Sequence, residues 1–452
     1  MKKTIVLYPG LYASHFNPMM QLADALLEHG YAVAVALIDV TMDEDATFAA
    51  AVARVAAAAK PSVAFHVLPR IHDPPALTTI VGYLEMVRRY NEHLREFLRS
   101  GVRSSSIAAV VVDAPSIEAV DVARELGFPV YSFFASNASA LAVFLQLPWI
   151  REASFKELGE TALSIPGVPP MPASHLMPEL LEDPESETYE ATMSMLRATL
   201  DADGILVNTF ASLEPRAFGA LGDPLFLPAA TAAGGEPRRR VPPVYCVGPL
   251  VVDADDEGRK ENRHDECLAW LDEQPDRSVV FLCFGGTGAV THSPEQLREI
   301  AAGLENSGNR FMWVVRAPLD GSADLDALLP EGFLERTRTS GRGLVVERWA
   351  PQGDVLRHRA TGAFVTHCGW NSATEGITAR VPMLCWPLYA EQKMNKVFMV
   401  EEMGIAVEVT GWHWQHGELV MAEEVEGKIK LVMESEEGER LRKKKKLLPQ
   451  SN

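Results

Sequence analysis

The sequence is short of positive charge. Its 452 residues carry 42 lysines and arginines against 61 aspartates and glutamates, a net charge of −19. A nucleic-acid binder shows a basic footprint that displaces phosphate counterions, so this balance argues against that class. A phosphate ligand gripped by backbone dipoles remains open. Cysteine is scarce as well. The five cysteines, at 246, 267, 283, 368 and 385, are scattered, odd in number and never spaced CxxC. That argues against a disulfide framework or a zinc site and suits a reducing cytosol. No apolar run reaches the roughly 18 to 20 residues of a membrane span. The apolar run of the N-terminal MKKTIVLYPG breaks at Pro9-Gly10, too early for a signal peptide. No Gly-x-Gly-x-x-Gly follows the first strand, which leaves a dehydrogenase poorly supported. The chain therefore reads as a soluble cytosolic protein, too long for a single core.

What is present is a repeated theme. TIVLYPG (4 to 10) is β-rich and precedes an amphipathic helix, NPMMQLADALLEHG (17 to 30), with Asn17 as cap, Pro18 as first residue and Gly30 past the end. YAVAVALI is the next strand. IAAVVVD (107 to 113), the helical IEAVDVARELG and PVYSFFAS make a further βαβ unit. Strands rich in Val and Ile alternating with helices predict a parallel sheet covered on both faces. Between 228 and 262 the composition turns rich in Pro, Gly and charge, which predicts an interdomain linker with a disordered loop at 228 to 240. After it the theme restarts with SVVFLCFGG, RFMWVVR, GLVVERW, TGAFVTH and PMLCWP as strands. Two doubly wound sheets predict a cleft enzyme whose ligands sit beyond the carboxyl ends of the strands.

One such strand end is HCGWNSATEG (367 to 376). Gly369 lets the backbone approach a ligand, and the amides of Trp370, Asn371 and Ser372 open a helix, a ready seat for a diphosphate. His367, Asn371 and Ser372 can add hydrogen bonds to the same oxygens. Glu375, one turn further in, suits the paired hydroxyls of a ribose. The plain alternative is a capped helix beside a buried histidine and tryptophan. Context favours a nucleotide diphosphate: Trp349 offers a flat face for a base, and Glu391 with Gln392 offers acceptors and donors for sugar hydroxyls.

The segment WAPQGDVLRHRATGAFVTHCGWNSATEGITARVPMLCWPLYAEQ (349 to 392) resembles the signature box of plant secondary-product glycosyltransferases, the family 1 UDP-glycosyltransferases. The likeness extends to WLDEQPDRSVVFLCFG, GILVNTFASLEP and HFNPMMQLADALL, and is nearest to members acting on flavonoids and other phenols. It implies an α/β fold of two facing Rossmann-like doubly wound domains (GT-B type). Residues 1–248 would bind the acceptor, and 249–452 would bind the UDP-sugar and carry a short, atypical tail. The resemblance further implies that Trp349 stacks on uracil and the Ala350 backbone pairs with its edge. Gln352 and Glu375 would hold the ribose, and His367, Asn371 and Ser372 the phosphates. Trp370, Glu391 and Gln392 would read the sugar. A glutamine at the box's end goes with glucose donors in this family, and a histidine there with galactose.

Glycosyl transfer to a phenol needs a base for the phenolic proton. His15 and Asp113 sit at the ligand edge of the first sheet, and the family's catalytic pair maps onto them. A neutral imidazole suits the task, with the carboxylate fixing its tautomer. Direct attack predicts inversion. Without the box, His15 would read as a loop residue and Asp113 as a helix cap. The implied reactants are UDP-glucose and a small phenol such as a flavonoid or anthocyanidin. No cofactor, metal, nucleic acid or membrane insertion is expected, and the protein is expected to be a monomer.

Four departures from the family pattern stand out. Gly286 replaces a serine or threonine that donates to the diphosphate, with Thr287 one residue late as its substitute. Ala135, beside Ser136, replaces a threonine of the sugar pocket. Arg380 stands where glycine is usual. The chain ends at KKKKLLPQSN, where members continue, which predicts a looser cleft and depressed transfer. An impaired UDP-sugar or phenol binder is the rival these suggest; a nucleotide-sugar epimerase or hydrolase is disfavoured by the box. His413 and His416 lack a partner cluster and read as surface or packing residues, and RLRKKKK (440 to 446) as a solvated tail.

Overall fold

The computed structural model describes residues 2–39, 41, 47–58, 62–101, 106–150, 154–228, 239–251, 262–285, 292–316, 325–412 and 419–445. Gly286, Thr287, His413, His416 and residues 229–238 of the loop expected at 228–240 lie outside them. The chain divides into two compact units, Met1–Val251 and Val252–Asn452.

In the first unit the strands are β1 (Thr4–Tyr8), β2 (Ala32–Leu37), β3 (Val63–Val67), β4 (Ile107–Asp113), β5 (Val130–Phe134), the two-residue β6 (Ala162–Leu163) and β7 (Met171–Pro172), β8 (Gly204–Val207) and β9 (Val244–Cys246). Seven of them form a parallel sheet ordered β3-β2-β1-β4-β5-β8-β9, and β6 pairs with β7 as a separate antiparallel ribbon. Val6, Leu7 and Tyr8 of β1 and Val110 and Val112 of β4 are wholly buried, as a sheet covered on both faces requires. The second unit repeats the plan with β10 (Val279–Cys283), β11 (Arg310–Val315), β12 (Gly343–Glu347), β13 (Thr361–Thr366), β14 (Met383–Cys385) and β15 (Ala406–Glu408), ordered β12-β11-β10-β13-β14-β15.

Two sequence expectations change. The first helix runs Ala13–Glu28, with Tyr12 at its cap and Pro18 inside it, instead of starting at Asn17. Burying Ala13 and Phe16 in the core outweighs the hydrogen bond that Pro18 forfeits. His15 thereby moves from a loop into the first helical turn. The stretch read as linker also contributes to the sheet: Val244–Cys246 pairs with β8 at its edge.

Arg380 follows the helix Trp370–Thr378 with φ of +60° and an exposed side chain. A left-handed backbone costs a residue with a Cβ about 1 to 2 kcal/mol, which accounts for the family's glycine there. Arg380→Gly is expected to stabilise the second unit by up to about 1 kcal/mol, since glycine's greater freedom in the unfolded chain takes back part of the gain. The urea midpoint measures it, and a midpoint at or below wild type would contradict the strain.

Candidate functional site

In each sheet the strand order reverses beside the first strand. Connections leave β1 and β4 toward opposite edges, and so do those of β10 and β13, so a crevice opens beyond each pair of carboxyl ends. Register fixes what meets there. Tyr8 pairs with Val112 in the first sheet, and Cys283 with Thr366 in the second.

At the first switch point Asp113 ends β4, fully buried, and His15 rises from the helix after β1 with its side chain 30% exposed. His15 Nδ1 lies 3.0 Å from Asp113 Oδ1. An ionised carboxylate can only accept, so Nδ1 donates and Nε2 is left as the basic nitrogen. Asp113 stands at the cap position of the turn Ala114–Ala119 yet makes no side-chain cap bond, so its carboxylate serves the histidine instead. Tyr12 leans on the imidazole at 5.6 Å and stacks on Tyr83 at 4.8 Å, while remaining 40% exposed.

Ala135 and Ser136 are both buried just past β5, ahead of the helix Ala138–Gln146. The start of that helix is fixed from afar. The wholly buried Glu214 carboxylate accepts from the amides of Ala138 (3.1 Å) and Ser139 (2.9 Å) and from the hydroxyls of Ser139 (2.7 Å) and Thr209 (2.6 Å). The GILVNTFASLEP stretch is thus a structural clamp.

At the second switch point, His367 follows β13 and is almost fully buried. A Cβ added at Gly285 would come 2.9 Å from its Nε2, and one at Gly369 would come 2.5 Å from it. Both glycines are therefore spacers for one imidazole. Burial, then the nearby Arg316 guanidinium, push His367 down to about 4, so the ring is neutral at pH 7, and its buried Nδ1 has no hydrogen-bond partner among the described residues. Gly369 begins the helix Trp370–Thr378, whose N-terminus no side chain caps. The Trp370 ring is buried, and Asn371 and Ser372 complete the first turn. Gln352 Nε2 donates to Ser372 Oγ (2.9 Å) and Glu375 Oε2 (2.6 Å), so the sequence's ribose and phosphate candidates form one cluster. Burial pushes the Glu375 carboxyl up, against the opposing pull of Gln352 and Arg357. Trp349 is 39% exposed beyond β12, next to the buried Ala350.

Glu391 stands at the cap position of the helix Gln392–Val397 without a side-chain cap bond. Gln392 Oε1 accepts from the amides of Leu388 and Tyr389, both at 2.9 Å, which fixes the orientation of its side-chain amide. Asn395 Nδ2 reaches Cys368 O at 3.0 Å and Glu391 Oε1 at 3.3 Å, tying the two segments together. Arg348, Cys368 and Ala390, each directly ahead of a candidate, have φ of +72°, +67° and +53°. Strain of this kind persists where surrounding structure enforces it, typically at ligand clamps.

Comparison with known proteins decides the family. The family model described as UDP-glucoronosyl and UDP-glucosyl transferase matches residues 243–435. The chain is 37% identical to UDP-glycosyltransferase 1 of Pueraria montana var. lobata, over 98% of its own length and 93% of that protein's. The chain belongs to the UDP-glycosyltransferase family. It is also 37% identical to an anthocyanidin 5,3-O-glucosyltransferase of a Rosa hybrid cultivar, over 97% of this chain and 92% of the relative. The structure of Phytolacca americana UGT2, complexed with UDP-2fluoro-glucose and pterostilbene, matches with a TM-score of 0.83 at 33% identity, over 98% of this chain and 93% of that one. The fold of this glycosyltransferase is accordingly GT-B, and the impaired-binder and epimerase readings give way to a UDP-glycosyltransferase.

Sequence reasoning missed four neighbours of the glycosyltransferase's candidate residues. Arg316, at the end of β11, was legible as a strand-end cation in RFMWVVR. Asn395 and Tyr83 reach Cys368 and Tyr12 through tertiary packing, and Tyr12, three residues before His15, carried no signal of its own.

His292 shares the fate of His367: burial pushes it down to about 4, edge-on to Phe284 at 4.3 Å and Trp386 at 5.3 Å. Both are protonated more readily in the unfolded chain, near 6.5. They leave stability unchanged above about pH 7 and withdraw about 1.4 kcal/mol per pH unit each as pH falls toward 4. Urea midpoints of wild type and His292→Gln across this range are expected to converge as the solution is acidified. Parallel curves would show that His292 is not held neutral.

Proposed function

We propose that the enzyme transfers glucose from UDP-glucose, with inversion, to a hydroxyl of a small phenolic acceptor such as a flavonoid or anthocyanidin. The observation that carries this reading is the 3.0 Å bond between His15 and the buried Asp113 at the switch point of the first sheet. In this reading residues 1–248 take the acceptor and 249–452 the donor. His15 Nε2 removes the phenolic proton as the oxygen attacks the anomeric carbon, and Asp113 stabilises the imidazolium that forms. The bond from that carbon to the diphosphate oxygen breaks on the opposite face, so an α-linked donor gives a β-glycoside in a single displacement.

The charge that develops on departing UDP falls to the N-terminus of the helix Trp370–Thr378, with His367, Asn371, Ser372 and Thr287 as donors. Gly369 admits the diphosphate to the backbone. Trp349 stacks on uracil, with the Ala350 backbone at its edge, and Gln352 and Glu375 take the ribose hydroxyls. Trp370, Glu391 and the amide nitrogen of Gln392 meet the glucose hydroxyls.

Two further features support the substrate class. Tyr12 presents an exposed ring beside His15, a surface on which a planar phenol can stack. The Rosa relative is an anthocyanidin glucosyltransferase, and the Phytolacca relative was solved with pterostilbene. All five cysteines are free thiols, which supports a cytoplasmic location. Among the described residues no helix is long and apolar enough to cross a membrane.

A panel of flavonoids and other phenols incubated with UDP-glucose tests the assignment. At least one acceptor is expected to gain the mass of one hexose, and His15→Ala to lower that turnover roughly 10² to 10⁴-fold with the KM for UDP-glucose little changed. Full activity of the variant would remove His15 from the chemistry. For the sugar, Gln392→His exchanges an amide donor for a ring nitrogen. The ratio of UDP-glucose to UDP-galactose use in competition is expected to move toward galactose, and an unmoved ratio would mean that Gln392 does not read the sugar.

A further inference from the structure

Asp113 gives one oxygen to His15. The other, Oδ2, is buried and accepts no hydrogen bond from the described residues. A buried anionic oxygen without a donor bears its full desolvation penalty, so its surroundings call for an explanation. They contain two hydroxyls. Around Gly10, just past β1, three oxygens converge. From the point a Cβ would occupy, Tyr83 Oη is 2.0 Å away, and Asp113 Oδ2 and Ser116 Oγ are each 3.1 Å away. Tyr83 comes from the helix Ile80–Glu96 and Ser116 from the turn after β4, and both are buried. Their hydroxyls lie 3.2 Å apart, and the Leu11 backbone N–H donates to the Tyr83 oxygen. Two hydroxyls carry two protons, and the bond between them uses one.

We propose that Tyr83 and Ser116 are positioning residues for the His15–Asp113 pair, acting as a two-hydroxyl relay whose spare proton is held toward Asp113 Oδ2. This rests on the general-base reading of His15. A hydroxyl dipole turned toward Oδ2, short of a formed hydrogen bond, favours one carboxylate plane, and through it one imidazole orientation. It also binds the carboxylate more strongly when His15 is neutral than when an imidazolium already shares the charge, so it lowers the pair's affinity for a proton. Gly10 is bare because any side chain there would displace the Tyr83 hydroxyl. Burial, with Tyr12 and Asp113 nearby, holds the Tyr83 phenol far above its ordinary range, so it stays a donor at every working pH. Among the described residues, the titratable groups beside the pair include Tyr12, Tyr83 and, acting on Tyr12 from the turn Pro178–Leu181, Glu179.

The test is the pH profile of kcat/KM for a phenolic acceptor at saturating UDP-glucose, for wild type, Tyr83→Phe and Ser116→Ala, with His15→Ala as reference. Both hydroxyl variants are expected to move the acid limb upward by roughly one pH unit. That is about a tenfold loss on the acid side, with the KM for UDP-glucose unchanged. The double variant is expected to shift no further than either single one, because the relay fails as a unit. An acid limb at its wild-type position in both variants overturns the inference even if the rates fall, since a merely structural role lowers the rate without moving the limb. Where Tyr83→Phe does not fold, Ser116→Ala decides by the same criterion. If His15→Ala retains wild-type rate, the general-base reading fails and takes the relay with it. If His15→Ala is inactive and the limb stays put in both hydroxyl variants, only the relay fails.

Discussion

A parallel sheet covered by helices on both faces can meet a dissolved ligand only past the ends of its strands. That constraint organises both units of this glycosyltransferase. The sides of the central strands β1, β4, β10 and β13 are filled mainly with buried Val, Leu, Phe and Tyr, so a ligand meets those strands at their ends. At β1/β4 and at β10/β13 the strand order reverses, the connections part, and the backbone is left open. His15, Asp113, His367 and Gly369 all belong to those four strand ends.

The two openings work by different electrostatics. The first holds a carboxylate out of water and gives it one basic ring to serve, which suits proton removal. The second holds a histidine that burial keeps neutral, beside a helix end and the amides and hydroxyls of Gln352, Asn371 and Ser372. Oriented dipoles of this kind, with the Arg316 guanidinium nearby, suit the diphosphate of the proposed donor and, in a chain with a net charge of −19, do so without a large basic surface.

Much of this was legible in the sequence, for identifiable reasons. Buried parallel strands such as TIVLY and TGAFVT are short, continuous and β-branched, and the joint after TGAFVT carries its glycine and polar residues within a few positions. β9 and β15 are three residues long with only one or no buried side chain, whereas β14, equally short, is wholly buried and legible in PMLCWP. The start of the first helix was misplaced because local capping preference pointed to Asn17, while core burial of Ala13 and Phe16 decided. The Tyr12–Tyr83–Ser116 cluster was invisible because its members are far apart in the chain and meet only once the helix Ile80–Glu96 packs against the turn Ala114–Ala119.

The Glu214 clamp has a consequence for how such a protein can change. It fixes the first amides of the helix Ala138–Gln146 to a residue beyond β8, on the far side of the long excursion between β5 and β8. That excursion, with its small ribbon β6–β7 and its short turns, can lengthen, shorten or exchange side chains without carrying the helix along. A lineage can therefore re-tailor this surface freely while the strand ends keep their places, as a workshop changes its jigs and leaves the bench bolted down.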